Sequence, residues 1–219
     1  MNDIVFPGFA VLSAYLCGSI PFGLYIAKWA TGQDIRNLGS GNIGATNVGR
    51  AIGKKWGMLV LLLDCLKGML PVLLLPGLAM ETPCIHIKVI VAIAAVLGHM
   101  YPIWLKFRGG KGVATALGAV LVLAPIATGV AALIFGLTVA FGRIVSLSSI
   151  LAALGFAAAE LFLLMPAPFA METWSLALFS LILPAFIILR HHSNISRLLR
   201  GQEPRFETPV EQADSESVE

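Results

Sequence analysis

Apolar runs occupy roughly residues 4 to 30, 57 to 79, 89 to 105, 113 to 142, 147 to 165 and 174 to 189. Each is near the length needed to cross a hydrocarbon core of about 30 Å, with the third and the last at the short end. Only 12% of the residues are charged and the mean hydropathy is +0.87, whereas soluble domains carry about 25% charge. The chain is therefore expected to be an all-α, polytopic integral membrane protein. The first run has no basic segment before it and no small-residue cleavage pattern, so it reads as a retained span and not a signal peptide.

Charge placement sets the expected topology. Arg36, Arg50, Lys54 and Lys55 fall in the first gap, Lys106, Arg108 and Lys111 in the third, and Arg190, Arg197, Arg200 and Arg205 follow the last run; residues 80 to 88 hold only Lys88 and 166 to 173 hold none. Positive charge marks the cytoplasmic side, so the three basic gaps share that side. Six simple crossings contradict this, because they return the last basic segment to the outside. The run at 113 to 142 supplies the missing crossing: Pro125 breaks it near its middle and Gly129 follows, so it enters and returns as two helices. Its first half, about 12 residues, reaches only about 18 Å and needs shelter from protein or a water-filled cavity. The expectation is seven helical segments, N-terminus outside and C-terminus cytoplasmic. Arg143, Ser146, Ser148 and Ser149 then join the cytoplasmic side.

Glu207, Glu211, Asp214, Glu216 and Glu219 crowd the last thirteen residues. We expect one transmembrane domain over 1–206 and a disordered acidic tail over 207–219. Without those five carboxylates 15 basic and 7 acidic residues remain, a formal charge of +8 against +3 for the whole chain. A basic membrane body suits anionic lipid and anionic substrates, and no nucleic-acid partner is expected. Cys17, Cys65 and Cys84 are odd in number and widely spaced, which suggests neither disulfides nor zinc; they read as small buried hydrophobes.

The dense polar stretches all fall on one side. GSGNIGATNVGR at 39 to 50 has the composition of an anion cradle, or of an ordinary polar turn. GHMYPIWLKFRGGKG at 98 to 112 places Lys111 among Gly109, Gly110 and Gly112 where a helix begins, and free N–H groups, helix dipole and ammonium together attract phosphate. The Walker A spacing is missing, so nucleotide hydrolysis is not indicated. Lys106 and Arg108 read as interfacial anchors. RIVSLSS at 143 to 149 and RHHSNISRLLRGQEPRF at 190 to 206 complete the set. If the last span continues as a helix, His191, Asn194 and Arg197 share a face. His86, in an outer loop, and His99, isolated, offer no metal site with His191. Asp64 and Lys67, three apart within the second span, read as a mutually neutralising pair.

GSGNIGATNVGR, GHMYPIWLKFRGGKGVAT and HHSNISRLLRGQE, in this order, resemble the three signature blocks of the bacterial acyl-phosphate:glycerol-3-phosphate acyltransferases, the PlsY family. The likeness runs from about residue 10 to 206. It implies a seven-helix enzyme of the bacterial inner membrane that transfers a fatty acyl group from acyl phosphate to the sn-1 hydroxyl of glycerol 3-phosphate, giving lysophosphatidic acid and phosphate, with no cofactor and no metal. It further implies that Ser40, Gly41, Asn42, Thr46 and Gly110, with Lys111, hold the acyl phosphate head. Arg50, Lys111, Ser149, His191 and Asn194 hold glycerol 3-phosphate and form the catalytic set. The leaving phosphate is the implied proton acceptor, since no other carboxylate evidently joins His191, and His191 as general base is the competing assignment. Histidine followed five residues later by aspartate, the pattern of the soluble-domain acyltransferases, is absent at all four histidines. The alternative class, a transporter or channel for an organic phosphate, is expected to show internal repeats and midplane binding, and neither is evident.

Overall fold

The computed structural model describes residues 5–79 and 81–205; the acidic tail at 207–219 lies outside them. Among the described residues all regular structure is helical: α1 (Val5–Gly18), α2 (Phe22–Thr31), α3 (Ala45–Ile52), α4 (Lys54–Ala79), α5 (Ile85–Met100), α6 (Val113–Leu123), α7 (Pro125–Gly142), α8 (Val145–Leu163), α9 (Trp174–Arg190) and α10 (His192–Leu199). By length and composition Pro7–Thr31, Lys54–Ala79, Ile85–Leu105, Pro125–Gly142 and Val145–Leu163 can each cross a membrane. The bent pair α9 and α10 makes a sixth candidate, and α6 is a shorter apolar helix. These segments are the expected seven. The break falls at Ala124, with Pro125 opening α7, where a missing N–H costs nothing.

Packing follows the rules of lipid, where small side chains let helices approach. A Cβ on Gly68 would enter the backbone of Thr115, and one on Gly118 the carbonyl of Cys65, so α4 and α6 touch backbone to backbone. α7 instead packs chiefly along α8 and shows most of its surface outward.

The first span is interrupted between α1 and α2 at Ser19–Pro21, which takes the carbonyl of Ile20 out of the helical ladder and leaves it accepting from Phe22 N–H at 3.1 Å. Lys67 Nζ donates to that oxygen at 2.8 Å and pairs with Asp64 Oδ1 at 2.7 Å. The intramembrane pair thus stabilises the break as well as neutralising itself.

Two expectations need correction. The last span does not continue through Asn194: α9 ends at Arg190, His191 is the joint, and α10 leaves at 63°. The sequence after Arg190 is too polar to extend an apolar span, so it turns across the end of the bundle. Nor are the cysteines buried: Cys17 and Cys65 are half-buried and Cys84 is exposed, all as free thiols.

Candidate active site

Loops that lie far apart in the chain meet at one end of the bundle around a cavity of about 400 Å³. Ser40, Asn42, Thr46, Arg50, Lys111, Ser149, His191 and Asn194 all line it. Gly41 and Gly110 do not, and the structure gives each a shaping role. Gly41 has φ +70°, open to glycine, and its N–H closes a turn on Leu38 O at 3.0 Å. Gly110 lies against the imidazole of His99, where any side chain would collide with Nε2.

The 39–50 loop is organised from within. Buried Asn47 accepts from Ser40 N–H at 2.8 Å and donates through Nδ2 to Leu38 O at 3.0 Å and Asn42 O at 2.8 Å, while Asn42 Oδ1 accepts from Gly44 N–H at 2.9 Å. Several of the loop's own N–H groups are therefore already used. The first turn of α3 has no side-chain cap, and its N–H groups stand beside Ala45 and Thr46 on the cavity wall.

Opposite this loop runs a chain of short hydrogen bonds. Lys111 Nζ donates to Asn194 Oδ1 at 2.6 Å, and Asn194 Nδ2 donates to Glu203 Oε1 at 2.6 Å. Glu203 also accepts from Ser146 Oγ at 2.7 Å and, at Oε2, from Arg197 Nε at 2.7 Å. Arg50 Nη2 reaches Pro204 O at 3.1 Å, so the 203–204 segment straps two walls together. Burial pushes the Glu203 carboxyl up, but the bonds from Asn194, Ser146 and Arg197 outweigh it and hold it below the usual glutamate range.

Burial, with Arg197, Arg50 and Arg190 nearby, lowers Lys111 to about 8 against the opposing pull of Glu203. Burial, then Lys111, pushes His191 down to about 4, so its imidazole is neutral at pH 7. His191 Nδ1 lies 2.8 Å from Ile187 O, and a carbonyl only accepts, so Nδ1 carries the proton and Nε2 keeps its lone pair. The cavity therefore combines cations with the neutral imidazole of His191, whose Nε2 can accept.

Sequence reasoning left several residues without a role. Glu203 is the hub of the bonded chain, and its signal was a lone carboxylate in a basic segment. It lies in the same cavity as His191 but bonds to Asn194, Ser146 and Arg197 instead. Asp64 lines the cavity floor, and His99 is not isolated, since its Nδ1 lies 3.7 Å from Asp64 Oδ1. Beyond Leu61, Val113, Ala114, Phe135 and Ser149, which line both spaces, a second and mainly apolar cavity of about 230 Å³ opens between α6, α7, α8 and α9.

Comparison with known proteins gives one consistent result. The family model described as "Glycerol-3-phosphate acyltransferase" matches residues 8–201. A glycerol-3-phosphate acyltransferase of Myxococcus xanthus (strain DK1622) is 50% identical over 199 residues, covering 90% of this chain and 97% of that one. One of Aquifex aeolicus (strain VF5) is 45% identical over 199 residues, with 90% and 98% covered. The crystal structure of PlsY (YgiH), an integral membrane glycerol 3-phosphate acyltransferase, superposes in its glycerol 3-phosphate form with a TM-score of 0.81 at 43% identity, covering 92% of this chain and 96% of that one. Its lysophosphatidic acid form superposes with a TM-score of 0.76 at 41% identity over the same shares.

Proposed function

The chain belongs to the glycerol-3-phosphate acyltransferase family, and we propose that it takes its acyl group from acyl phosphate and delivers it to the sn-1 hydroxyl of glycerol 3-phosphate. The observation that carries this reading is the single cavity in which Lys111, His191 and Asn194 face the 39–50 stretch that ends in Arg50. Two phosphate-bearing substrates need two sets of anion contacts side by side, and the cavity has a wall for each. Arg50 can hold a phosphate with two parallel bonds, and Lys111 supplies a point charge. The organic-phosphate transporter has no support from the relatives, which are named as acyltransferases.

Acyl phosphate is a mixed anhydride with a good leaving group. The hydroxyl oxygen attacks the carbonyl carbon, the new ester bond forms, the bond to phosphate breaks, and the hydroxyl proton passes to the departing phosphate. The protein's work is to hold the hydroxyl in line and to stabilise the charge that develops on the carbonyl oxygen. His191 suits the first task as an acceptor through Nε2. Lowered to about 4, it is a weaker base at neutral pH than a phosphate whose second ionisation lies near about 6. The acyl chain lies in the apolar cavity between α6, α7, α8 and α9, which adjoins the reacting groups through Ala114 and Ser149.

Purified protein given labelled glycerol 3-phosphate is expected to form lysophosphatidic acid and phosphate in equal amounts from acyl phosphate, and no product from acyl-CoA. Equal turnover with acyl-CoA refutes the donor assignment.

The enzyme works from the cytoplasmic face of the bacterial inner membrane, with its N-terminus outside, because the site end carries the basic loops. In a cysteine-free background, a cysteine replacing Arg108 should react with impermeant reagent only after the membrane is opened, and one replacing Ala170 in intact cells. Labelling of both from the same side contradicts this orientation.

A further inference from the structure

The turn that presents Lys111 is held by a residue that does not itself face the cavity. Arg190, the last residue of α9, donates through Nη2 to Gly109 O and to Gly110 O, each at 2.8 Å, and through Nε to Gly110 O at 3.1 Å. The ring of Tyr101 lies 5.4 Å from its guanidinium carbon. Among the described residues Arg190 forms no ion pair with a carboxylate. Its charge is directed at two peptide carbonyls.

That choice of partners has an electrostatic consequence. Carbonyl oxygens near a bound phosphate repel it, and a glycine pair has no side chain to fix which way its peptides point. In a trans peptide the C=O and the following N–H point in opposite directions. Binding Gly110 O to Arg190 therefore turns the N–H of Lys111 away from Arg190, to the side where Lys111 and Gly112 line the cavity. The preceding peptide is pinned at both ends, with Gly109 O on Arg190 and Gly110 N–H on His99 O at 3.1 Å.

We propose that Arg190 is a positioning residue for acyl transfer: its planar fork turns the Gly109 and Gly110 carbonyls out of the anion site, so that the turn meets phosphate with N–H groups and the Lys111 ammonium. This rests on the function proposed above. Lysine, a point charge, cannot hold two carbonyls in that geometry. A purely architectural role, fastening the end of α9 to the α5–α6 loop, would lower stability and the amount of active enzyme without changing substrate affinity.

The test measures kcat and KM for glycerol 3-phosphate in wild type, Arg190→Lys and Arg190→Ala, in detergent with acyl phosphate saturating. Absence of wild-type turnover overturns the functional reading itself, independently of Arg190. With wild type active, both variants are expected to raise KM about tenfold while kcat stays within about threefold. Methylguanidinium should lower the KM of Arg190→Ala, and methylammonium should not. A wild-type KM in Arg190→Lys, a loss confined to kcat, or equal rescue by the two amines overturns the proposal. Arg190→Lys keeps the stem and the charge, so it decides the question if the alanine variant does not survive purification.

Discussion

Lys111→Ala is expected to lower kcat/KM for glycerol 3-phosphate by about a thousandfold, the scale that follows when a charged donor is removed from a phosphate held out of bulk water. Its loss leaves Asn194 Oδ1 without the 2.6 Å bond it accepts, which costs about 1–3 kcal/mol. That is too little to unfold the helical bundle, so the variant should still insert in the membrane and elute as wild type does. The same residue fixes a pH dependence. With Lys111 lowered to about 8, the ammonium is present below that pH and is lost as pH rises through it. kcat/KM, which reports on the free enzyme, should therefore fall on an alkaline limb near pH 8. Lys111→Arg, charged throughout, should lack that limb even if its turnover is low. A limb unchanged in Lys111→Arg would assign it to another group.

Glu203→Gln should destabilise the fold by about 3 kcal/mol, because it removes a buried charge on which several donors converge. Ser146 Oγ, Asn194 Nδ2 and Arg197 Nε all donate to this carboxylate, and an amide turns a donor toward some of them. Released from Glu203, Asn194 no longer fixes the Lys111 ammonium, and Arg50 loses its anchored partner at Pro204. The expected result is a lower midpoint of thermal unfolding in detergent together with lost activity. Thermal stability equal to wild type would mean that the strap is not a structural element.

How much of this was legible in the sequence depends on the range of each interaction. Hydropathy and the count of basic loops gave the seven apolar segments, including the break beside Pro125, because those signals are local. The glycine-rich stretches around Ser40 and Lys111 also announced themselves, since backbone that must turn tightly or approach another chain closely restricts residue type. What stayed hidden was pairing through space. Ser146 and Glu203 are 57 positions apart, and nothing in either segment names the other. Arg190 counted only as one of the basic residues after the last apolar run, and its carbonyl partners are visible only in the structure. The 63° turn at His191 was missed for a related reason. The i, i+3 spacing of His191 and Asn194 fits a continuous helix as well as a bent one, and the polar sequence after Arg190 that turns α10 away does not by itself say at which residue or by how much.

The central claim is that Arg50 and Lys111, from segments far apart in the chain, hold one phosphate-bearing substrate in a single cavity. Equilibrium binding of labelled glycerol 3-phosphate to the purified protein tests it without recourse to turnover. The account predicts one site per chain in wild type, with binding weakened at least about tenfold in Arg50→Lys and again in Lys111→Ala. Wild-type affinity in either variant, with the protein folded, would contradict it.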